Sequence, residues 1–266
     1  MSTPRTEPAG RQTGAPAVTA VLRTADVLSY LAQAPSRTVG VTEVAQALGL
    51  SKAVVFRILV SLQDRGYVEV DEPTRRYLLG PKSLALGMSY LERTDIRETA
   101  RGALTQLSAE TGETATLSVR SGWERMYVDQ VTPAGDIKMV VPIGRPFPLH
   151  AGSSSKAFLA FLPDEERDRY LSERPLVALT DATITGHTAL LADLEQIRTR
   201  GYAASCGERQ PGAGSVAAPV LDREGVPVAV VSVCGPIERF RARFEEAARL
   251  LVAETQRLSR RLGYRH

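Results

Sequence analysis

The sequence has no asparagine, two cysteines (Cys206 and Cys234), three histidines (His150, His187 and His266) and four lysines in 266 residues. Each scarcity removes a class of function. Two cysteines cannot build a disulfide framework, which suits a reducing cytoplasm. Three scattered histidines show no zinc spacing, so no metal and no cofactor is expected. Without asparagine there is no Ser-Asp-Asn element, and none of the lysines opens a Lys-Thr-Gly. No apolar run reaches 18 residues and no signal-peptide pattern is present, so neither a membrane partner nor export is expected.

What is present is ordinary in bulk and uneven in detail. The chain is 43% hydrophobic and 24% charged, with a net charge of +3, and is long enough for two domains. Residues 1–93 hold 11 Lys+Arg against 8 Asp+Glu, whereas residues 94–266 hold 22 against 22. The whole excess lies in the N-terminal part, a modest signal for a polyanionic partner there. Residues 1–17, rich in proline and glycine, are expected to be a disordered tail.

Residues 41–70 read VTEVAQALGLSKAVVFRILVSLQDRGYVEV. Val41, Val44, Ala45 and Leu48, then Val55, Ile58, Leu59 and Leu62, fall at i, i+3, i+4, i+7, which predicts two one-sided helices. Gly49 suits the left-handed end of the first, and Ser51 suits capping of the second. Two helices joined by so short a turn cross steeply as a helix-turn-helix, with Ala45 small enough to let them approach. YVEV and RRYLL around a proline-containing turn predict a hairpin, and helix-turn-helix plus hairpin is a winged helix. Upstream, Val21, Ala25, Leu28 and Ala32 mark the inward face of a third helix that stops at Pro35.

After the wing, Leu84, Met88 and Leu91 line one face of a connector behind Pro81. This stripe packs either on its own domains or on a second copy, since DNA readers use dimer symmetry to span half-sites. Beyond it, helix-like IRETARGALTQLSAETG precedes strand-like TATLSV, RMYVDQV and IKMVVP. A helix over 153–161 follows, then helices near 163–173 and 188–200, strands GSVAAPVL and VPVAVVSVCG, and a terminal helix from about 240. Strand pairs with flanking helices predict an α+β domain around a central antiparallel sheet.

Two motifs imitate enzymes. Ser153 and Lys156 satisfy Ser-x-x-Lys, but its companion elements are missing, as is any Gly-x-Ser-x-Gly elbow, so no catalytic residue is assigned. Residues 212–217, GAGSVA, fit a loose Gly-x-Gly-x-x-Ala yet precede a strand where a dinucleotide loop opens a helix. The amides and hydroxyls of Ser153, Ser154 and Ser155 instead converge at a helix start, which suits either a carboxylate or simple capping.

Over residues 18–262 the sequence resembles the IclR family of bacterial transcriptional regulators, through the block 41–70 and through RRYLLGPKSLALG, PLHAGSSSKAFLAFL and GSVAAPVLDREGVPVAVVSVCGP, in that order. The resemblance implies a winged helix (18–80), a linker helix (81–94) and an effector-binding domain (95–266). The function it implies is a one-component regulator, most simply a repressor, that binds double-stranded operator DNA as a dimer or tetramer. It also implies effector amides from Ser153 and Ser154, polar side chains at Ser205, Ser215, Ser232 and Cys234, and an apolar wall at Met139 and Phe147. The DNA-contacting helix departs from the family's hydroxyl-rich start. Behind Ser51 it offers Lys52 and Arg57 for phosphates or guanine and Ala53, Val54 and Phe56 for thymine methyls, with Phe56 equally readable as core. Arg75 and Arg76 are the wing cations. Serines stand at 205 and 215 where the better-known pattern has Asp and Cys, which removes a charge and leaves room for an organic acid larger than two or three carbons.

Overall fold

A computed structural model describes residues 18–92 and 95–265, with side chains undescribed at 90–95. The expected tail at 1–17 and the side chain of Leu91 therefore lie outside the described residues. The chain divides into two compact units between Tyr90 and Leu91.

The first unit holds helices α1 (Thr19–Gln33), α2 (Val41–Leu48) and α3 (Lys52–Asp64), strands β1 (Val68–Asp71) and β2 (Arg76–Leu79), and most of α4 (Pro81–Glu92). Gly49 ends α2 with φ 63°, a left-handed conformation that any Cβ would strain. The Ser51 hydroxyl accepts the Val54 amide at 3.3 Å and opens α3. The axes of α2 and α3 turn through 116°, within the range of helix-turn-helix pairs. Val44, Ala45, Val55, Leu59 and Leu62 are buried together with Val27, Val68 and Tyr77. Strands β1 and β2 pair antiparallel, and Val39 adds a bridge to Tyr77.

One expected face is wrong. In α1 the buried residue is Val27, with Leu28, Tyr30 and Leu31 partly covered, while Val21, Ala25 and Ala32 face outward. Of the expected stripe only Leu28 packs on the core; the larger Val27, Tyr30 and Leu31 beside it supply the rest, so the inward face is displaced from the one the alanine spacing marked. The connector α4 leaves Leu84 68% and Met88 42% exposed.

The second unit is a six-stranded antiparallel sheet, ordered β5-β4-β3-β8-β7-β6. Its strands are β3 (Thr114–Ser121), β4 (Glu124–Val131), β5 (Pro146–Pro148), β6 (Ala203–Cys206), β7 (Ala213–Leu221) and β8 (Pro227–Pro236). Helices α5 (Asp95–Thr111) and α10 (Phe244–Arg261) cover one face, and α6 (Ser153–Phe161), α7 (Asp164–Glu173) and α8 (His187–Arg200) belong to the core on the other. A short α9 (Ile237–Phe240) and a 3-10 turn precede α10, which starts four residues later than the expected 240.

The segment IKMVVP is not a strand. Pro142 ends it, Pro133 and Gly135 before it and Gly144 after it break the flanking chain, and the Gln130 side chain takes the place of a ladder partner, accepting Val141 N–H at 3.0 Å and donating to Val141 C=O at 3.1 Å. The edge strand is instead β5, paired with β4. The short β5 and β6 carry too few residues for alternation to reveal them.

Candidate functional site

Strand parity sorts the sheet chemically. Ala115, Leu117, Val216, Ala218, Val231 and Val233 face α5 and α10 and are apolar. The alternate residues on the α6 side are largely polar. Ser205 pairs with Ser215, Ser215 with Cys234 and Cys234 with Thr114, one row running across four strands. In the next row the Thr116 and Ser232 hydroxyls bond at 2.6 Å.

Helix α6 starts against this polar row. Gly152 precedes it with φ 85°, a conformation that favours glycine and lets the chain turn sharply into the helix. The Ser153 hydroxyl bonds that of Ser215 at 2.7 Å. Ser153, Ser154, Ser155 and Lys156 are all buried. The first amides of a helix lack intrahelical acceptors and carry the positive end of its dipole.

Met139, Ser153, Ser154, Ser205, Ser215, Ser232 and Cys234 all line one cavity of about 30 Å³. Phe147 does not line it but packs with Tyr127, Val141 and Cys234 just behind. Burial pushes the Cys234 thiol up to about 12.

Seven further wall residues were not foreseen: Gly152, Gln210 and Ala213, and the charged or aromatic Arg125, Tyr127, Glu208 and Arg209. Arg125 is 1% exposed, donating from Nε to Ser155 Oγ at 3.0 Å and from Nη1 to Ser118 Oγ at 3.3 Å. Its guanidinium lies 4.2 Å from the Tyr127 ring centre and 4.9 Å from that of Phe147. Burial holds its pKa below the ordinary arginine value, and nearby Arg209 adds to this; arginine stays charged regardless. A register shift in the β3–β4 pairing at Leu117/Ser118 explains its aim. Asp129, on the same strand parity, bonds Arg101 of α5, while Arg125 bonds Ser155 of α6. The irregularity sends the two to opposite faces, as bulges beside functional sites do.

Lys156 is committed elsewhere. Its Nζ donates to Glu208 Oε1 at 2.6 Å and to Asp193 Oδ2 at 2.7 Å, with the side chain 2% exposed. Glu208 Oε2 also accepts the Gly152 amide at 3.2 Å. The lysine thus ties α6 to α8 and to the segment after β6.

In the first unit, Ser51, Lys52, Ala53, Phe56 and Arg57 are exposed on the outer side of α3, and Val54 is half-buried. Phe56 is 51% exposed and so is not a core aromatic. Arg75 stands exposed at the wing tip with φ 55°, beside Glu72. Arg76 turns inward, donating to Thr38 Oγ1 at 3.1 Å, Thr38 O at 2.8 Å and Glu43 Oε2 at 2.7 Å.

A winged helix-turn-helix with an exposed second helix, joined in one chain to a separate α+β unit with an enclosed polar cavity, defines a DNA-binding transcriptional regulator. Residues 20–72 match the IclR helix-turn-helix domain, and residues 88–260 match the domain described as bacterial transcriptional regulator IclR C-terminal. The HTH-type transcriptional regulator BhcR of Paracoccus denitrificans is 37% identical over 240 residues, covering 88% of this chain and 85% of that protein. The transcriptional repressor IclR of Escherichia coli is 33% identical over 84% of this chain and 81% of its own length. A crystal structure of an IclR transcriptional regulator from Alicyclobacillus acidocaldarius has a TM-score of 0.81 at 31% identity, covering 91% of this chain and 98% of that one. The chain belongs to the IclR family of bacterial transcriptional regulators.

Proposed function

We propose that this regulator is a repressor, that it binds operator DNA as a dimer or tetramer in the cytoplasm, and that a small organic acid in the α6 cavity changes its DNA affinity. The observation that carries the acid reading is Arg125, a buried guanidinium with neutral hydroxyl partners, in the wall of a cavity that the start of α6 also faces. Ser205, Ser215 and Ser232 supply orienting hydrogen bonds, and Met139 with Phe147 an apolar side. The Escherichia coli relative is named a repressor, and a dimer seated on a promoter blocks polymerase.

Domain roles follow the same reading: 18–80 binds DNA, 81–94 links, and 95–266 senses. Lys52, Ala53, Val54, Phe56 and Arg57, behind the Ser51 cap, enter the major groove, and Arg75 reaches the backbone. Arg76, occupied by Glu43 and Thr38, steadies the wing. Acyl transfer is not part of the proposal, because the Lys156 amine is held by two carboxylates and cannot serve Ser153 as a base. Self-association is supported by the exposed Leu84, Leu86 and Met88 on α4.

The test is titration of a complex with DNA from upstream of its own gene, followed by fluorescence anisotropy, with a panel of short carboxylic acids. A coupling of about 1 to 3 kcal/mol changes operator affinity roughly 5- to 150-fold. An affinity untouched by every acid of the panel, with DNA binding intact, rejects the acid reading.

A further inference from the structure

We propose that a groove between α8, β7 and α10 is a second ligand site, separate from the α6 cavity, and that it takes an amphipathic carboxylate, an acid with an extended apolar body. The proposal stands apart from the acid reading above, because the two linings share no residue.

The groove exists because strand pairing stops early. Strand β6 pairs with β7 only as far as Ala217, so Pro219 and Leu221 have no strand neighbour on that side. Pro219 has no N–H to satisfy, and the Leu221 N–H donates to Ser259 Oγ of α10 at 2.9 Å. Thr255 and Ser259, which also line the space, return their hydroxyls to their own helix, to Val252 O at 3.2 Å and Thr255 O at 2.7 Å. With Phe161 at the end of α6 and Val252 of α10, these residues form a wall whose donors are already used. Such a wall gains from hydrocarbon and not from a polar group. The space is about 600 Å³, within the range of about 300 to 1,000 Å³ of small-molecule sites.

The rim selects the head group. It carries Arg198, Arg200, Arg260 and Arg265 and no carboxylate. Asp164 matches Arg198 at 2.7 Å, and the ends of α8 and α10 offset part of the rest. Asp222, next to Leu221, is turned into its own loop, accepting the Glu224 and Val226 amides at 3.0 and 2.9 Å. Arg200 donates from Nε to Tyr202 O, and neither it nor Arg260 forms an ion pair among the described residues. Both are exposed, so water and salt screen them. They favour a carboxylate over a neutral head, while burial of the apolar body supplies most of the affinity.

The test is calorimetry on the full chain with octanoate, octan-1-ol and acetate. One octanoate per chain is expected, bound about a hundredfold or more tightly than acetate and about fivefold or more tightly than octanol. Val252→Glu, which sets a carboxylate in the half-buried wall, is expected to weaken octanoate about tenfold or more. Arg200→Gln with Arg260→Gln, both at exposed sites, keeps the fold and brings the octanoate-to-octanol ratio close to one. Ser215→Leu, which fills the α6 cavity, leaves octanoate binding unchanged. Octanol that binds as well as octanoate, or a ratio unmoved by the double arginine variant, overturns the carboxylate class. Octanoate binding lost in Ser215→Leu places the ligand in the α6 cavity and overturns the second site. Absence of octanoate binding overturns the proposal outright, and a lower mass of Val252→Glu by light scattering then assigns the groove to a second copy of the chain.

Discussion

The Ser153 hydroxyl on the first residue of α6 lies 2.7 Å from the Ser215 hydroxyl on β7. Helix start and sheet therefore share a hydrogen bond at the wall of the cavity, and on the proposed reading an acid entering there would compete for both hydroxyls. Each can donate to a carboxylate, because a hydroxyl carries a donor and two acceptor sites.

Ser215→Leu places an apolar side chain into a space of about 30 Å³. The expected outcome is loss of the thermal shift given by any acid that stabilises the parent protein, and loss of acid-driven operator release. Differential scanning fluorimetry with anisotropy checks both. Unchanged ligand binding in this variant moves the site elsewhere.

Lys156→Ala leaves Glu208 buried without its cation. Breaking a buried pair in this way costs about 3 to 5 kcal/mol, which urea denaturation will register as a lower midpoint. Adding Glu208→Gln removes the orphaned charge and is expected to restore part of the loss. Full stability in Lys156→Ala contradicts the tie between α6, α8 and the segment after β6.

With its thiol pushed up to about 12, Cys234 is almost entirely protonated at mildly alkaline pH. Thiolate is the nucleophile, so iodoacetamide is expected to modify the part-exposed Cys206 in the native protein and to reach Cys234 only after unfolding. Mass spectrometry of native and denatured samples decides this; rapid native labelling of Cys234 refutes its burial.

On α3, Arg57→Ala is expected to weaken binding to all sequences and to lower the salt slope by about one unit. Phe56→Ala, at an exposed site, is expected to change base preference with stability within about 0.5 kcal/mol of the parent. Arg76→Ala acts differently, through Glu43. The Arg76 guanidinium, with help from the Gly40 amide, holds the Glu43 carboxyl below its ordinary range. A carboxyl depressed in the folded state stabilises the fold above its ordinary value and loses that contribution as pH falls through the depressed one. Arg76→Ala is therefore expected to melt lower at neutral pH and to lose less stability on acidification, with the salt slope of DNA binding kept. A reduced slope places Arg76 at the DNA instead.

Leu84 and Met88 lie 68% and 42% exposed on α4. If a second copy covers them, Leu84→Glu with Met88→Glu places charges in that seam. The expected result is monomers by light scattering and loss of operator affinity. A double variant that stays dimeric places the contact on another surface.

The local order of this protein was legible from its sequence. Gly49, Ser51 and the 3.6-residue apolar period determined the helix-turn-helix, because turn conformation, capping and one-sided burial are short-range effects. The serines of 153–155 identified the start of α6 for the same reason, and the family resemblance supplied the rest of the expected cavity wall. On α1 the spacing marked Val21, Ala25, Leu28 and Ala32 as inward; packing against α2 and α3 kept Leu28 and otherwise took the larger Val27, Tyr30 and Leu31. The two arginines of the cavity were invisible. Arg125 and Asp129 share strand parity, and only the register shift at Leu117/Ser118 turns them to opposite faces. Arg209 is far from Arg125 along the chain and meets the same two rings only once the sheet has formed. Sequence fixes which groups are charged, because that is covalent; which charges share a low-dielectric space depends on long-range pairing, and that belongs to the tertiary structure.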